Sequence, residues 1–437
     1  MDNAKFVEAN PTKDFFIYMI TRDIDTKPAI VELIDNAIDG AKRIRNNGDY
    51  SGLNIDLSFD GNSFTIEDNC GGFDLEIARK YAFKFGRPND REQEKGLFTG
   101  LFGIGMKRAL FKLGRKFTIS STTEKTHFKV VVDVDKWKDD PSWNFPLQDV
   151  VADGCYSECE RGTIIEIENL YDEQKINFSN KVFENSLFAY IQMYRSVGAE
   201  NGLTIRVNGN KVNFFRERLI ENENIKCYKN LINNERGEVR IIAGVAHNGT
   251  PEYAGWYVFC NERLVLFADK TSVTGWGKET RAYHNHLASF RGYVYFESEN
   301  LLQLPWNTTK TGVDTTNKLY QETLEKMKEA ISQINRAINS MLKKYDVNNI
   351  DEIASIKNAS EITLSYETVH GFSIASDFEI KDQKSTTKKA NTTISFKVPK
   401  DKYEIVKAYM NSKTAKEMGE TLFDYYCEME DVFNGRE

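Results

Sequence analysis

The chain has no long apolar run. No stretch approaches the ~20 consecutive apolar residues that a membrane-spanning helix requires. The amino-terminal segment MDNAKFVEANPTKDFF also lacks the apolar core of a signal peptide. We therefore expect a cytoplasmic protein with no membrane partner.

The chain also has few cysteines and only a small excess of negative charge. Six cysteines occur in 437 residues, and only Cys155 and Cys159 lie close together, without a second pair at zinc spacing. This pattern excludes a zinc-finger type of site and predicts reduced thiols. The formal net charge of −7 argues against a uniformly basic surface. Hydrophobic content of 40% and charged content of 28% are typical of globular chains, and the length suits about three domains.

Residues 27–48 carry apolar side chains at helical spacing, which predicts an amphipathic helix. Pro28 suits the first helical position and Gly48 suits a stop. A carboxamide can offer a neutral oxygen to Mg²⁺, and a carboxylate one turn earlier can take a proton from water. An ordinary amphipathic helix also has a polar face, so this helix alone leaves both interpretations open. The polar stripe consists of Glu32, Asn36, Asp39 and Arg43.

Two strand-like runs follow the helix, at 53–59 and 63–68, with Asp60-Gly61 between them as a hairpin signal. The second run ends at Asp68, where a carboxylate can accept a hydrogen bond from an exocyclic amine such as that of adenine. Gly71 and Gly72 then let the backbone pass close to a flat ligand.

A glycine-rich segment precedes the next apolar helix, in LFTGLFGIGMKRALFKLG (97–114). Backbone amides at a helix start favour phosphate, and Lys107 adds a positive charge there. A glycine triplet of this kind also occurs in many ordinary turns. Farther along, Thr163 opens the strand-like run 163–170. The three glycines that precede or begin the helix in the segment 97–114 are Gly100, Gly103 and Gly105.

These four segments, in this order, resemble the nucleotide-binding motifs of the GHKL ATPase superfamily. That superfamily includes the ninety-kilodalton heat-shock chaperone, MutL, type II topoisomerases, histidine kinases and MORC proteins. The lid is most similar to that of MORC proteins, in which a lysine follows the last glycine. Cys70 departs from the family pattern, because it stands where the second motif usually has its first glycine. The matching positions are Glu32 and Asn36, Asp68 to Gly72, Gly100 to Gly105, and Thr163.

The resemblance implies an ATP site with Mg²⁺. Asp68 would bind adenine with Thr163 nearby, Asn36 would coordinate the metal, and Glu32 would polarise the attacking water. Gly103, Gly105 and Lys107 would cradle the β- and γ-phosphates. The full set of nucleotide-binding residues implied is Asn36, Asp68, Gly72, Gly100, Gly103, Gly105, Lys107 and Thr163.

A second block of strand-like runs follows. It begins at 201–214 with an Asn208-Gly209 turn and ends in a long amphipathic helix at about 316–344. In the relatives, a transducer domain returns a lysine to the γ-phosphate, and Lys310 in WNTTKTG resembles that catalytic residue. The alternative is a surface lysine in a polar loop. The other runs in this block are 239–247, 255–267 and 290–298.

The carboxy-terminal part has a lysine-rich connection at 381–392, a strand-like run at 393–398 and two helical patterns. This order resembles the ribbon-helix-helix unit, in which paired strands from two chains enter the DNA major groove. A dimerisation or docking module that does not bind DNA, and simple packing on the transducer, are the alternatives. The outward, DNA-binding positions would be Thr393, Ser395 and Lys397.

Together these features predict an α/β (α+β) protein. We expect a Bergerat-type two-layer α/β sandwich ATPase domain (1–175), a βαβ-containing transducer (176–345), a linker (346–392) and a small carboxy-terminal module (393–437). The predicted function is an ATP-hydrolysing clamp that forms a homodimer on ATP binding and acts on double-stranded DNA, with a separate effector subunit. The alternatives are a nucleotide-binding regulator with little hydrolysis, and a chaperone-like ATPase with a protein client.

Overall fold

The chain forms two units, residues 1–383 and residues 384–437. Within the described residues, no helix is long and apolar enough to cross a bilayer. The first unit combines two large sheets with helices, and this mixed α/β architecture confirms the predicted fold class. The computed structural model describes residues 10–85, 104–194, 201–247, 249–277, 279–372, 374–381, 394–395, 397–410 and 414–429.

An eight-stranded sheet forms the amino-terminal layer. Its strands are β1 (Asn54–Phe59), β2 (Phe64–Asp68), β3 (Gly114–Thr122), β4 (His127–Asp133), β5 (Leu147–Val151), β6 (Gly162–Leu170), β7 (Thr204–Val207) and β8 (Asn210–Lys211). The spatial order is β5-β4-β3-β6-β2-β1-β7-β8. The β1–β7 pair is parallel, and the other neighbouring pairs are antiparallel. The predicted Asp60 hairpin is confirmed, because its Oδ1 accepts the amides of Asn62 (2.8 Å) and Ser63 (3.0 Å).

Helices cover one face of this sheet. Along β1 to β4, the side chains that point to that face are mostly buried, whereas the alternate side chains, which point to the opposite face, are mostly half-exposed or exposed. Helices that include α2 and α4 share one hydrophobic core with these strands, so the sheet and the helices together form a two-layer sandwich. The helices of this part are α1 (Lys13–Arg22), α2 (Thr26–Ile44), α3 (Leu75–Ile77, continued by a π turn at Ala78–Ala82), α4 (Gly105–Leu113), α5 (Val134–Asp139), α6 (Asp172–Phe178) and α7 (Lys181–Tyr194).

Helix α2 starts earlier and ends sooner than the sequence suggests. It begins at Thr26, so Pro28 is its third residue, still within the first turn where a backbone N–H has no partner in the helix. It ends at Ile44, and Gly48 lies beyond it with φ +74°. The helix buries polar as well as apolar side chains, because the sheet lies on one side and the transducer contacts another.

The second large sheet lies in the part predicted to be the transducer, a name kept below for this part, and has five strands in the order β11-β12-β15-β13-β14. Helix α8 (Lys318–Tyr345) packs on it, which confirms the long helix predicted at 316–344. The single strand predicted at 255–267 is wrong, because Asn261 and Glu262 form a turn with φ of +44° and +69° that divides it. The five strands are β11 (Tyr228–Asn234), β12 (Gly237–Val245), β13 (Gly255–Cys260), β14 (Arg263–Asp269) and β15 (Phe290–Glu297). Two earlier strands, β9 (Arg218–Ile220) and β10 (Ile225–Lys226), belong to separate two-stranded sheets.

The parallel pair of this sheet is β13 and β15. Their connection runs through β14 and two 3-10 turns, Ser272–Thr274 and Asn285–Leu287, in place of the α-helix of the predicted βαβ unit.

Much of the predicted linker folds onto the transducer. Strand β16 (Glu361–Thr363) pairs with β9, and β17 (Glu379–Ile380) pairs with β10. Two short helices lie between α8 and β17: α9 (Ala354–Lys357) and α10 (Tyr366–His370). Because Ile350, Ile353 and Ile356 are buried, residues 346–381 belong to the first unit and do not form a free connection.

The second unit contains α11 (Lys400–Tyr409) and α12 (Ala415–Met429), where two helices are expected. The predicted strand is not formed at residues 394–395 or 397–399, which pair with no strand in the described part of the chain. Ser395 and Lys397 are exposed, and Thr393 lies outside the described residues.

Candidate functional site

Helix α2 presents acidic and amide groups to two different surroundings. Glu32 and Asp35 are buried. Asn36, one turn after Glu32, is exposed and lines a slot between α2 and the sheet, and Arg43 lies on the same side. The predicted polar stripe is thus divided, because Glu32 and Asp39 are buried in the interior whereas Asn36 and Arg43 line the slot.

The slot is lined by both apolar and polar groups. Ile66, Ile165 and Met106 provide flat apolar surface, and Asp68 provides the carboxylate. Four residues predicted to bind nucleotide therefore line one cavity, namely Asn36, Asp68, Gly72 and Thr163. The remaining lining residues are Leu33, Ala37, Gly40, Arg43 and Cys70.

Asp68 is the last residue of β2 and lies opposite Thr163 of β6. Its Oδ1 accepts the backbone amide of Cys70 at 2.8 Å. Burial raises the pKa of Asp68 to about 7, although the backbone amides of Cys70 and Thr163 lower it.

Cys70 fits the slot without closing it. Its thiol is buried, and burial raises the pKa of this thiol, so it stays neutral. A Cβ at position 40 would lie 2.8 Å from the Cys70 carbonyl oxygen, so Gly40 is needed for this close approach of α2 to the strand end. Gly72 has φ +64°, a conformation suited to glycine. The departure from the family pattern thus leaves an open slot.

Helix α4 begins directly beside Glu32. A Cβ at Gly105 would overlap the Glu32 carboxylate, so glycine is required where the helix start meets this acid. Arg108, one turn later, donates to the carbonyl oxygen of Thr308 at 3.0 Å. Helix α4 is therefore linked to the loop that carries Lys310. Gly100 and Gly103 lie outside the described residues.

Lys107 does not line the slot. Its Nζ donates to the carbonyl oxygens of Ala82 and Lys84, both at 2.8 Å, and its side chain is buried. Burial lowers the pKa of Lys107 to about 7. A phosphate contact by this lysine remains a prediction that requires it to leave these two carbonyl groups.

Lys310 reaches Glu32 from the transducer. Its Nζ is 2.9 Å from Glu32 Oε2 and 3.8 Å from Asp35 Oδ2, and its side chain is buried, so it is not a surface lysine. The loop is held by Asn307, whose Oδ1 accepts the amide of Thr311 and the hydroxyl of Thr309, both at 3.0 Å. Lys310 has φ +53°, an uncommon backbone conformation that suits a functional constraint.

Arg263 is a second transducer cation at the same acid, and the sequence analysis does not find it. Its Nη1 is 2.8 Å from Glu32 Oε1 and also bonds Asp35 Oδ2. Arg263 is fully buried, and its Nε and Nη2 have no hydrogen-bond partner among the described residues. The signal for it is Asn261, a residue that tolerates positive φ and could have indicated the turn.

The electrostatic balance at Glu32 favours the charged form. Burial alone would raise the pKa of Glu32, but Lys310 and Arg263 outweigh this effect and hold it below its ordinary value. Burial lowers the pKa of Lys310 to about 8, even though Glu32 favours its charged form. Glu32 is therefore ionised at neutral pH and has both oxygens occupied by cations.

The comparison with known families agrees with this geometry. Residues 24–160 match the family described as histidine kinase-, DNA gyrase B- and HSP90-like ATPases. No curated protein matches the chain. The matched segment contains Glu32, Asn36, Asp68 and the start of α4, so the amino-terminal region of this chain belongs to the GHKL ATPase superfamily.

Proposed function

We propose that the first unit binds Mg·ATP in the slot between α2 and the sheet and hydrolyses it. The main support is the burial of an ionised Glu32 between Lys310 and Arg263, one helical turn from the slot residue Asn36. A carboxylate held ionised can act as a general base, and cations next to it can stabilise charge on a transferred phosphoryl group.

The residues of the slot suit ATP and Mg²⁺. The flat apolar walls fit a purine, and the Asp68 carboxylate can accept its amine. The exposed amide of Asn36 offers an oxygen, the type of ligand that Mg²⁺ prefers. Glu32 would accept the proton of the attacking water, Lys310 would contact the γ-phosphate, and Gly105 would present the start of α4 to the phosphates.

ATP bound in the slot would link the part with the eight-stranded sheet to the part with the five-stranded sheet, so that the protein acts as a clamp. One transducer loop makes two contacts with the ATP-binding part, because Lys310 bonds Glu32 of α2 and the Thr308 carbonyl oxygen accepts from Arg108 of α4. We propose that ATP also drives homodimerisation of this part. Support comes from α1, where Phe15, Tyr18 and Met19 form an exposed apolar stripe at helical spacing.

We expect the affinity for Mg·ATP to rise as pH increases through about 7. An ionised Asp68 accepts the base amine better than its protonated form, so binding releases a proton below this pH. Isothermal calorimetry of the full chain in buffers of different ionisation enthalpy measures both effects. Asp68→Asn should bind more weakly and lose this pH dependence, whereas Glu166→Gln, at an exposed residue of β6, should retain both. Absence of binding heat at every pH would reject the ATP site.

We further propose that the clamp acts on double-stranded DNA, with a separate effector subunit. Support comes from residues 381–416, which have ten lysines and three acidic residues, and from the exposure of Ser395 and Lys397. The second unit would pair with its copy so that the segment at 393–398 becomes a two-stranded ribbon.

We expect removal of residues 384–437 to weaken duplex binding and to flatten its salt dependence, since the lysines release counterions from DNA. Fluorescence anisotropy at several salt concentrations measures both quantities. Replacing Lys397, Lys400 and Lys402 by Gln in the full chain should reproduce part of the loss. Equal duplex binding by full and shortened chains would point to a protein client instead.

A further inference from the structure

The turn between β13 and β14 holds Arg263 on a rigid support. The Asn261 side chain exchanges two hydrogen bonds with the backbone of Ser298, each at 3.0 Å. The backbone amide of Asn261 also donates to the Phe296 carbonyl oxygen at 2.9 Å. Because β15 is the central strand of the transducer sheet, this turn has little freedom to move by itself.

Arg263 is attached to α2 at two acids on one side of the helix. The same guanidinium nitrogen bonds Glu32 and Asp35, which are three residues apart. Next to it, Glu262 forms an ion pair with Lys42 at 2.6 Å. The turn therefore meets α2 both at the carboxylate pair and about two to three helical turns farther along.

The two oxygens of Glu32 have different partners. Oε1 bonds Arg263 on the rigid turn, and Oε2 bonds Lys310 on a loop with an uncommon backbone conformation. A general base needs one free oxygen to accept a proton from water. If Lys310 moves to the γ-phosphate, Oε2 becomes free while Oε1 stays with Arg263.

We propose that Arg263 is a positioning residue for Glu32, which keeps hold of Oε1 so that Oε2 faces the attacking water. This inference rests on the proposed ATPase function. Its consequence is that hydrolysis requires the β13–β14 turn to be docked on α2, in addition to the Lys310 loop. The transducer then controls the orientation of the base as well as contact with the phosphate.

Several charged groups face Glu32 and determine its protonation. Lys310 and Arg263 come from the transducer, Asp35 from the same helix, and Arg108 from α4. Burial raises the pKa of Glu32, and the two transducer cations lower it. Without Arg263, one of the two cations that oppose the effect of burial on Glu32 is lost. The pKa of Glu32 should then rise, and the acidic limb of the pH–kcat profile should move to higher pH.

The test is the pH dependence of kcat for the full chain at saturating Mg·ATP, where nucleotide affinity and thus Asp68 no longer affect the rate. Arg263→Met should move the acidic limb upward by about one pH unit or more. Glu262→Gln removes the adjacent ion pair of the same turn and should keep the wild-type limb. A wild-type limb in Arg263→Met, with only kcat reduced, would overturn the proposal.

Arg263→Lys provides a second test that does not depend on the folding of the Met variant. A lysine keeps the positive charge, but its side chain is shorter, so its ammonium does not reach the position from which Nη1 of Arg263 contacts both Glu32 and Asp35. The acidic limb should stay in place, and kcat should fall by about tenfold because the base is less well oriented. A wild-type kcat in this variant would overturn the bridging role. Absence of turnover in the wild-type chain would instead refute the ATPase function.

Discussion

Replacing Glu32 by Gln should lower ATP turnover by about 10²–10⁴-fold and leave Mg·ATP binding within a few-fold of wild type. The amide has the shape of the carboxylate but cannot accept a proton from water. Glu32 is not among the residues that line the slot, so the contacts of the slot with the adenine of ATP and with Mg²⁺ should persist. Phosphate release at saturating Mg·ATP and calorimetric Kd values measure the two quantities separately.

Glu67→Gln is the matched control, because it makes the same chemical change at an exposed residue next to Asp68. It should retain wild-type turnover. If the wild-type chain releases phosphate no faster than Glu32→Gln, the protein is a nucleotide-binding regulator. If Glu32→Gln retains full turnover while the wild-type chain is active, another group is the base.

The slot is the part of the site that local sequence patterns predict well. Asp68 and Gly72 follow a strand within one short motif, and Asn36 lies on a periodic helix. Thr163 lies on β6, directly opposite Asp68. Since each residue occupies a local structure with a clear signal, the matching order of motifs was sufficient to place all four in one cavity.

The second half of the site depends on contacts that periodicity does not contain. Asp35 lies off the predicted stripe and is buried because the transducer covers that side of α2. Arg263 follows a turn without glycine, and the flanking apolar residues made the segment look like one strand. Lys107 was assigned from its position after a glycine, but in this conformation its ammonium bonds two carbonyl groups. These are tertiary outcomes that a single sequence does not show.

The same reason applies to the carboxy-terminal strand. A strand at 393–398 requires pairing with another strand, and residues 394–395 and 397–398 pair with none of the residues that the structure describes. The two helices α11 and α12 form because their hydrogen bonds are local. Local elements of this unit were therefore predictable, whereas the proposed ribbon depends on a second chain.

Lys310→Met should weaken ATP binding and leave ADP binding nearly unchanged, because only ATP has the γ-phosphate that this lysine would contact. Turnover should fall by about 10²–10³-fold, as expected for the loss of one donor to developing charge.

In sedimentation, a non-hydrolysable ATP analogue should raise the dimer fraction of the wild-type chain. It should not do so for Lys310→Met or Asn36→Ala. Calorimetry with both nucleotides and sedimentation velocity test these expectations.

The ratio of ADP to ATP dissociation constants isolates Lys310 from the other titrating groups. Asp68 would affect both nucleotides alike, so its pH effect cancels in the ratio. The pKa of Lys310 is lowered to about 8 by burial, and a phosphate favours the protonated ammonium. The preference for ATP should therefore decline as pH rises above about 8, and this decline should be absent in Lys310→Met. Lys42→Met, which removes a lysine that pairs with the transducer away from Glu32, should retain the decline. A ratio independent of pH in the wild-type chain would show that Lys310 does not contact the γ-phosphate.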